Sequence, residues 1–123
     1  FLATINYVKD FNIQLNISMM DVRNIVHGVS GYLNHHDEEV RRASMEILFQ
    51  LDGESALLFV DVMSNDENNW NRLRLLEIIE NIPGTEFNSI IQKLLNDEDE
   101  MIRERAVYSA GIKNINQLST NAN

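Results

Sequence analysis

Two adjacent histidines and three acidic residues open the segment NHHDEEVRRASMEILFQLDG, which covers residues 34–53. Histidine, aspartate and glutamate bind metals and transfer protons in active sites, and arginines close behind them can hold phosphate or carboxylate groups. A metal site requires several ligands that converge, whereas neighbouring side chains point in different directions, and the only other histidine is His27. We therefore interpret His35 and His36 as residues of a solvated turn and Asp37 as a helix N-cap.

Motifs that carry enzymatic chemistry are missing from the sequence. It contains no glycine-rich phosphate loop, no Gly-x-Ser-x-Gly motif and no His-Glu-x-x-His motif. The acidic run NDEDE at residues 96–100 lacks the glycine and the spaced ligands of a calcium loop. There is no cysteine to form a disulfide, a thiolate zinc site or a nucleophile. The sequence thus predicts a protein that is not an enzyme, with no catalytic, cofactor-binding or metal-binding residues.

One order of residue types occurs three times along the chain, beginning at Val26, Leu57 and Asn88. Each copy has an apolar helical segment, a polar break, an apolar anchor, a basic stretch and a second apolar helix. An apolar residue precedes the anchor by seven positions in each copy: Leu33 and Val40, Met63 and Trp70, and Leu95 and Ile102. The anchors are 30 and 32 residues apart. A period near 31 residues accommodates two short helices and two turns.

Helical periodicity accounts for the apolar segments of each copy. Val40, Ala43 and Ile47 recur at spacings of three and four residues, as on one face of an amphipathic helix. Asp37 and Asp99 stand where helix N-caps belong. No alternating apolar run is bounded by a hairpin turn, so we expect no strands. The predicted helices cover residues 1–10, 20–34, 37–51, 54–64, 67–82, 86–96 and 99–113.

The segments DEEVRRASMEIL and DEMIRERAVYSA resemble the second helix of HEAT repeats, especially the short bacterial repeats related to phycobilin lyases. The family's pattern has an aspartate, followed five and six residues later by a Val-Arg pair. Asp97, Ile102 and Arg103 fit this spacing in the third copy. The resemblance covers residues 20–113, and it concerns architecture far more than chemistry.

The other two copies match the HEAT pattern less fully. In the first copy Val40 and Arg41 fit, but His35 stands in the place of the aspartate. In the middle copy the three positions are read as Asn65, Trp70 and Asn71, which replace all three residues of the pattern.

The resemblance implies an all-α fold, a right-handed α-solenoid (α-α superhelix) of about three and a half HEAT-like helical hairpins. We expect a single repeat domain over residues 1–123, cut from a longer protein because the chain starts at Phe1 rather than at Met. Each unit buries its apolar face only by stacking on its neighbours. The units lie near residues 20–51, 54–82 and 86–113, after a half repeat or capping segment at 1–19 and before a frayed tail at 114–123.

The charge balance restricts the class of partner. Ten basic residues face 19 acidic residues, which gives a formal net charge of −9. Contacts with phosphates dominate nucleic-acid affinity, so this balance argues against DNA, RNA and anionic membrane surfaces. No apolar run approaches the length of a membrane span, and no signal peptide is visible. We expect a cytoplasmic protein that does not insert into a membrane and binds another protein or a neighbouring domain; the oligomeric state stays open.

Arginines and acidic residues of the repeats predict two kinds of contact. The resemblance implies that Arg41 and Arg103 belong to the family's Asp–Arg ladder, which ties adjacent repeats together, with Asp97 as the acid at the family's position; the alternative is that they grip an acidic or phosphorylated partner. Other charged residues on the second helices should share a mixed-charge face. This face is either solvated, with weak intrahelical ion pairs, or a protein-binding groove. Its candidate residues are Arg42, Glu46, Arg72, Arg74, Glu77 and Arg105.

The aromatic side chains are expected to pack in the interior. Trp70 is the only tryptophan and takes an anchor position, which predicts core packing; the rival interpretation is an exposed binding hot spot. Tyr32 and Tyr108 are predicted to be core or half-buried residues.

Three functions stay open, and the repeat architecture favours the first. The first is a non-catalytic scaffold that mediates protein–protein interaction as one domain of a larger protein. The second, by resemblance to lyase-type HEAT repeats, is an accessory subunit or chromophore-lyase-like protein that handles bilins; the lack of cysteine and of an evident tetrapyrrole pocket weakens it. The third is a DNA-binding HEAT-like repair protein, which requires a basic groove that a net charge of −9 disfavours.

Overall fold

The computed structural model describes residues 19–115. This part of the chain is all-helical and contains no strand. The elements are α1 (Met19–Ser30), a 3-10 helix (Gly31–Asn34), α2 (Glu38–Leu51), α3 (Gly53–Ser64), α4 (Asn69–Ile79), α5 (Asn88–Leu94) and α6 (Glu100–Ile112). The predicted all-α class is therefore confirmed for these residues, whereas the predicted helix at 1–10 lies outside them.

The chain divides into two compact units, residues 1–59 and 60–123, and the boundary falls inside α3. The single repeat domain expected from the sequence stays a prediction. No helix within residues 19–115 combines the length and the apolar character needed to span a bilayer.

In the first unit, α1 and the 3-10 helix pack against α2. Ala43 and Ile47 of α2 form a small core with the partly buried side chains of Val29 and Leu51. Leu48, on the same helix, is completely buried. The three-and-four spacing of apolar residues in α2 therefore faces the interior, as the periodicity predicts.

In the second unit, α6 packs against both α4 and α5. The turn between α4 and α5 contains Gly84 at φ +95°, a backbone conformation that glycine adopts without steric cost. The deepest side chains of this unit are Leu75, Leu76, Ile79, Ile91, Ile102, Ala106 and Ala110. They come from all three helices, so the packing of α6 places the turns before α4 and α6 within reach of each other.

Candidate functional site

The turns that precede α2, α4 and α6 share one hydrogen-bonding geometry. A carboxylate oxygen of Asp66 or Asp97 accepts the backbone amide two residues later, with an N–O distance of 2.9 Å in both turns. In the first turn, Nδ1 of His35 accepts the amide of Asp37 at 3.0 Å. A neutral imidazole has one nitrogen that can accept. His35 thus takes both the place and the hydrogen bond of the aspartate, and the three residues are spaced by 31 positions.

The N-caps of these helices follow the same 31-residue spacing. Asp37, Asn68 and Asp99 have φ between −93° and −87° and ψ between 122° and 125°. Asp37 and Asp99 accept the amide two residues later at 2.9 and 2.8 Å, and Asn68 accepts the amide three residues later at 3.2 Å. The predicted caps Asp37 and Asp99 are confirmed, because each satisfies an amide that the helix leaves without an intrahelical partner.

Asp99 also bonds to a neighbouring helix. The side-chain amide of Asn69 donates to its carboxylate at 2.6 Å. This bond, followed by the one from the Met101 amide, holds the pKa of the Asp99 carboxyl below its ordinary value. The carboxylate is therefore ionised at neutral pH, and it joins the first residue of α4 to the start of α6.

An arginine four residues after each cap closes its own turn. Arg41, Arg72 and Arg103 donate from Nη1 to the carbonyl six residues upstream, at 2.8, 2.7 and 2.8 Å. Turn acceptor, cap and arginine thus recur together with a period of 31 residues. The sequence predicts a period near this value, and the geometry fixes its register.

The register differs by one residue from the one expected in the middle copy. Counting from the caps, Asn71 and not Trp70 corresponds to Val40 and Ile102. Asn71 is 1% exposed, and its side-chain amide donates to the Asp66 carboxylate at 3.2 Å. Trp70 is 58% exposed. The prediction that Trp70 packs in the core is wrong, because one residue turns a side chain by about 100° around a helix.

The same shift changes the match of the middle copy to the HEAT pattern. The equivalent positions are Asp66, Asn71 and Arg72 rather than Asn65, Trp70 and Asn71. Two of the three residue types of the pattern are therefore present where none was expected. Asn71 is a polar residue at a position that is apolar in the other two copies, whereas its neighbour Trp70 is apolar, so the sequence pattern favours Trp70 as the anchor.

Arg72 makes one of the contacts that join the second and third copies of the repeat. Its Nε and Nη2 donate to the two carboxylate oxygens of Asp97 at 2.9 and 3.1 Å. The two side chains are only 7% and 8% exposed, so this bidentate ion pair lies away from solvent. The resemblance implies that Arg103 joins adjacent repeats in this way. Arg103 instead donates to the carbonyls of Asp97 and Glu98 within its own turn.

A cleft of about 330 Å³ lies beside this ion pair. Its walls are the turns at residues 64–67 and 96–98, together with Arg72, Lys93 and Leu94. The Lys93 ammonium group donates to Ser64 Oγ and Asn65 Oδ1, both at 2.8 Å. Four carboxylates face two cations in the lining, and both cations already bind oxygen atoms of the walls. This arrangement holds the two turns together.

Exposed aromatic and arginine side chains occupy the packed helices α4 and α6. Trp70 and Tyr108 are both 58% exposed, and the Arg105 guanidinium lies 4.8 Å from the centre of the Tyr108 ring. Arg74 and Glu77 form a partly exposed pair at 3.5 Å. We call these five residues the aromatic–arginine surface. Tyr108, and Tyr32 of the first unit at 55% exposed, are thus more exposed than the core or half-buried positions expected from the sequence.

Arg105 forms an ion pair with a buried glutamate, Glu80. Glu80 is 5% exposed and accepts hydrogen bonds from Arg105 Nη2 and, at 2.6 Å, from Ser109 Oγ. The bond to Glu80 is the first cause that raises the pKa of Arg105 above its ordinary value. The sequence places Glu80 among the charged residues of the second helices, which are expected to share the mixed-charge face. Its burial is not predicted, because the equivalent residues Phe49 and Gly111 give no repeat signal at this position.

Five of the six candidate binding residues are partly exposed: Arg42, Glu46, Arg74, Glu77 and Arg105. Arg72 differs from them, because it is 6% exposed and its guanidinium is engaged by the turns. In the observed register Arg42 corresponds to Leu73, whereas Arg74 and Arg105 correspond to the buried Ala43. The six residues therefore do not occupy equivalent positions of the repeat, and their part in binding stays a prediction.

The two histidines of the first turn contact each other. Their rings stack with centroids 4.2 Å apart, and Nδ1 of His35 is taken by the Asp37 amide. Within residues 19–115, no group of three or more histidine, aspartate or glutamate side chains is arranged to hold a metal ion.

No protein-family model, no curated protein and no solved structure matches this chain.

Proposed function

We propose that this chain is a HEAT-type repeat scaffold, a right-handed α-solenoid that binds another protein and carries out no catalysis. The observation that supports this most is the 31-residue register of turn acceptor, cap and arginine. The Arg72–Asp97 ion pair adds to it, since it joins the second and third copies within the second unit. Hairpins that repeat in this way bury their apolar faces by stacking and present equivalent helices to partners.

The binding site proposed for the partner is the aromatic–arginine surface. Tryptophan, tyrosine and arginine are the residues that most often dominate protein–protein binding energy. Here they stand on two helices that pack together, and Glu80 and Tyr108 restrict the side chain of Arg105. A side chain that is already restrained loses less conformational entropy on binding. The function is inferred from architecture and surface composition, not from a reaction centre.

The test uses Trp70 as the reporter, because it is the only tryptophan. A photo-reactive phenylalanine analogue in place of Arg74 captures the partner, which is then purified and titrated into the unmodified chain. Binding should shield Trp70 from acrylamide quenching. Arg74→Ala and Tyr108→Ala should each weaken the affinity at least about tenfold, as expected for hot-spot residues.

Leu58→Ala and Tyr32→Ala are the matched controls, since both remove exposed apolar side chains elsewhere, and neither should change the affinity. A partner that binds without shielding Trp70, and with equal affinity for the Tyr108→Ala variant, would overturn the proposed surface. A DNA duplex added in place of the partner should leave Trp70 emission unchanged. Salt-dependent binding of the duplex would instead favour the DNA-binding alternative.

A further inference from the structure

The internal repeat shows what covers one face of α4. Three positions of this helix, at residues 69, 72 and 76, lie on the side that meets the third copy. Asn69 donates to the Asp99 carboxylate at 2.6 Å, Arg72 holds the Asp97 carboxylate through Nε and Nη2, and Leu76 is completely buried. A turn that carries Asp97 and Asp99 therefore docks on this face of α4.

The equivalent face of α6 keeps the arginine but is more exposed. Its residues 31 positions later are Glu100, Arg103 and Val107. Val107 is 49% exposed, where Leu76 is completely buried. Arg103 uses Nη1 for the carbonyls of its own turn, as Arg72 does. Its Nε and Nη2 edge, which in Arg72 binds a carboxylate, has no carboxylate acceptor within residues 19–115.

We propose that this face of α6, formed by Glu100, Arg103 and Val107, is a docking surface for a helical hairpin whose turn carries an Asp-x-Asn sequence. Arg103 binds the aspartate through its Nε and Nη2 edge, as Arg72 binds Asp97. Val107 packs against the apolar side of the hairpin. The inference concerns a different face from the aromatic–arginine surface and does not depend on it.

Glu100 specifies the asparagine of the Asp-x-Asn sequence. In the observed contact, Asn69 is a donor and therefore pairs with the carboxylate of the cap Asp99. Glu100 has the reverse chemistry, because a carboxylate only accepts and would repel an aspartate at that cap. An asparagine cap resolves this, since its oxygen can accept the helix amide while its NH₂ group donates to Glu100. The chain itself contains such a turn at Asp66-x-Asn68.

The experiment inserts a second copy of residues 85–115 between Ile115 and Asn116, so that the whole natural chain is kept in the 31-residue register. In the inserted copy alone, Asp99→Asn supplies the asparagine cap. Val107→Cys in the original α6 serves as the reporter, because the chain has no cysteine of its own. The reaction of this thiol with a maleimide measures whether the face is covered. Leu58→Cys, at a position 78% exposed, is the matched control.

Docking should slow labelling of the cysteine at position 107 at least tenfold relative to the chain without the insertion, and leave the control unchanged. Restoring aspartate at the inserted cap should reverse most of this protection. Glu100→Asn in the original α6 should then invert the preference, so that the aspartate cap protects better than asparagine. This swap of preference is an outcome that general stabilisation of the chain would not produce.

Equal labelling with and without the insertion would overturn the proposal, and so would an inserted hairpin that adds no helix by circular dichroism, since such a hairpin folds only where a face accepts it. Protection that is the same for both caps, and unchanged by Asp97→Asn in the inserted copy, would show that the face does not recognise an Asp-x-Asn turn. Protection that rises with concentration in the chain without the insertion would assign the face to a second copy of this chain instead.

Discussion

At the scale of single residues, each turn depends on one side chain that accepts the amide two residues later. Aspartate does this in two turns and His35 does it in the third. This bond fixes the backbone conformation just before the cap. The arginine four residues after the cap stabilises the same turn by donating to its carbonyl. A residue can therefore be exchanged at this position as long as an acceptor remains at the same distance from the backbone.

This dependence gives a prediction for His35. His35→Leu should lower the free energy of unfolding by about 1 kcal/mol, because it removes the acceptor of the Asp37 amide. His35→Asn should stay within about 0.5 kcal/mol of the unchanged protein, because its side-chain oxygen replaces Nδ1. Urea unfolding followed by circular dichroism measures both.

The two variants control for one another, since each loses the ring that stacks on His36. A second comparison, His36→Leu against His36→Asn, should show no difference. If His35→Leu and His35→Asn unfold at the same urea concentration, the hydrogen bond to the Asp37 amide does not contribute to the free energy of unfolding.

Residue types alone were enough to predict the caps Asp37 and Asp99 and the place of His35 in a turn, but not the cap Asn68. They were not enough to place Trp70, because the middle copy has Asn71 at the buried anchor. Pattern reading assigns buried positions to apolar side chains, whereas Asn71 is buried with its polar groups satisfied by Asn68 and Asp66. The ion pair of Arg72 is not predictable for the same reason, because with Trp70 as the anchor the arginine of the pattern falls on Asn71 instead of Arg72.

At the scale of the helices, apolar spacing and caps determined most of the boundaries. The predicted helix at 99–113 corresponds to Glu100–Ile112, and the one at 37–51 to Glu38–Leu51. The helix predicted at 86–96 is the shorter Asn88–Leu94. Phe87 stands at its N-cap position, and no side chain caps its start.

Core packing of α2 is tested at Leu48. Leu48→Ala should cost about 2–5 kcal/mol, because the side chain is completely buried and its removal leaves a cavity. Leu58→Ala, which removes the same atoms from a position 78% exposed, should cost less than about 0.5 kcal/mol. Chemical unfolding of both variants gives the comparison, and equal costs would contradict the register of α2.

The contact between the second and third copies is tested by a double-mutant cycle. Asp97→Ala leaves the Arg72 guanidinium buried without its counter-ion and should cost about 3–5 kcal/mol. Arg72→Ala should be similarly costly, since it leaves the buried carboxylate of Asp97. The double variant should cost at least about 1 kcal/mol less than the sum of the two, because neither charge then remains unpaired.

Glu98→Ala is the matched control for this cycle, because Glu98 is an exposed acid in the same turn. Its effect should be within about 0.5 kcal/mol. Additive costs for Arg72 and Asp97 would show that the two side chains stabilise the fold separately.

At the scale of the whole molecule, a net charge of −9 acts on the folded state. Like charges that lie on one compact surface repel each other more than they do in the unfolded chain, so the repulsion disfavours folding. Added salt screens charges that face solvent over a Debye length of about 10 Å at 0.1 M, but it screens the buried pair of Arg72 and Asp97 much less. The two contributions therefore respond differently to ionic strength.

This difference predicts whether added salt raises or lowers the free energy of unfolding of the whole chain. Raising the salt concentration from about 0.02 to 0.3 M should increase the free energy of unfolding by about 0.5–1 kcal/mol, because it weakens the repulsion among the acids. Glu86→Gln together with Glu98→Gln, which removes two exposed negative charges, should raise the stability at low salt and flatten the response. Chloride salts of sodium and of choline should act alike if screening is the cause. A fall in stability with salt would mean that exposed ion pairs, such as Arg74–Glu77, outweigh the repulsion.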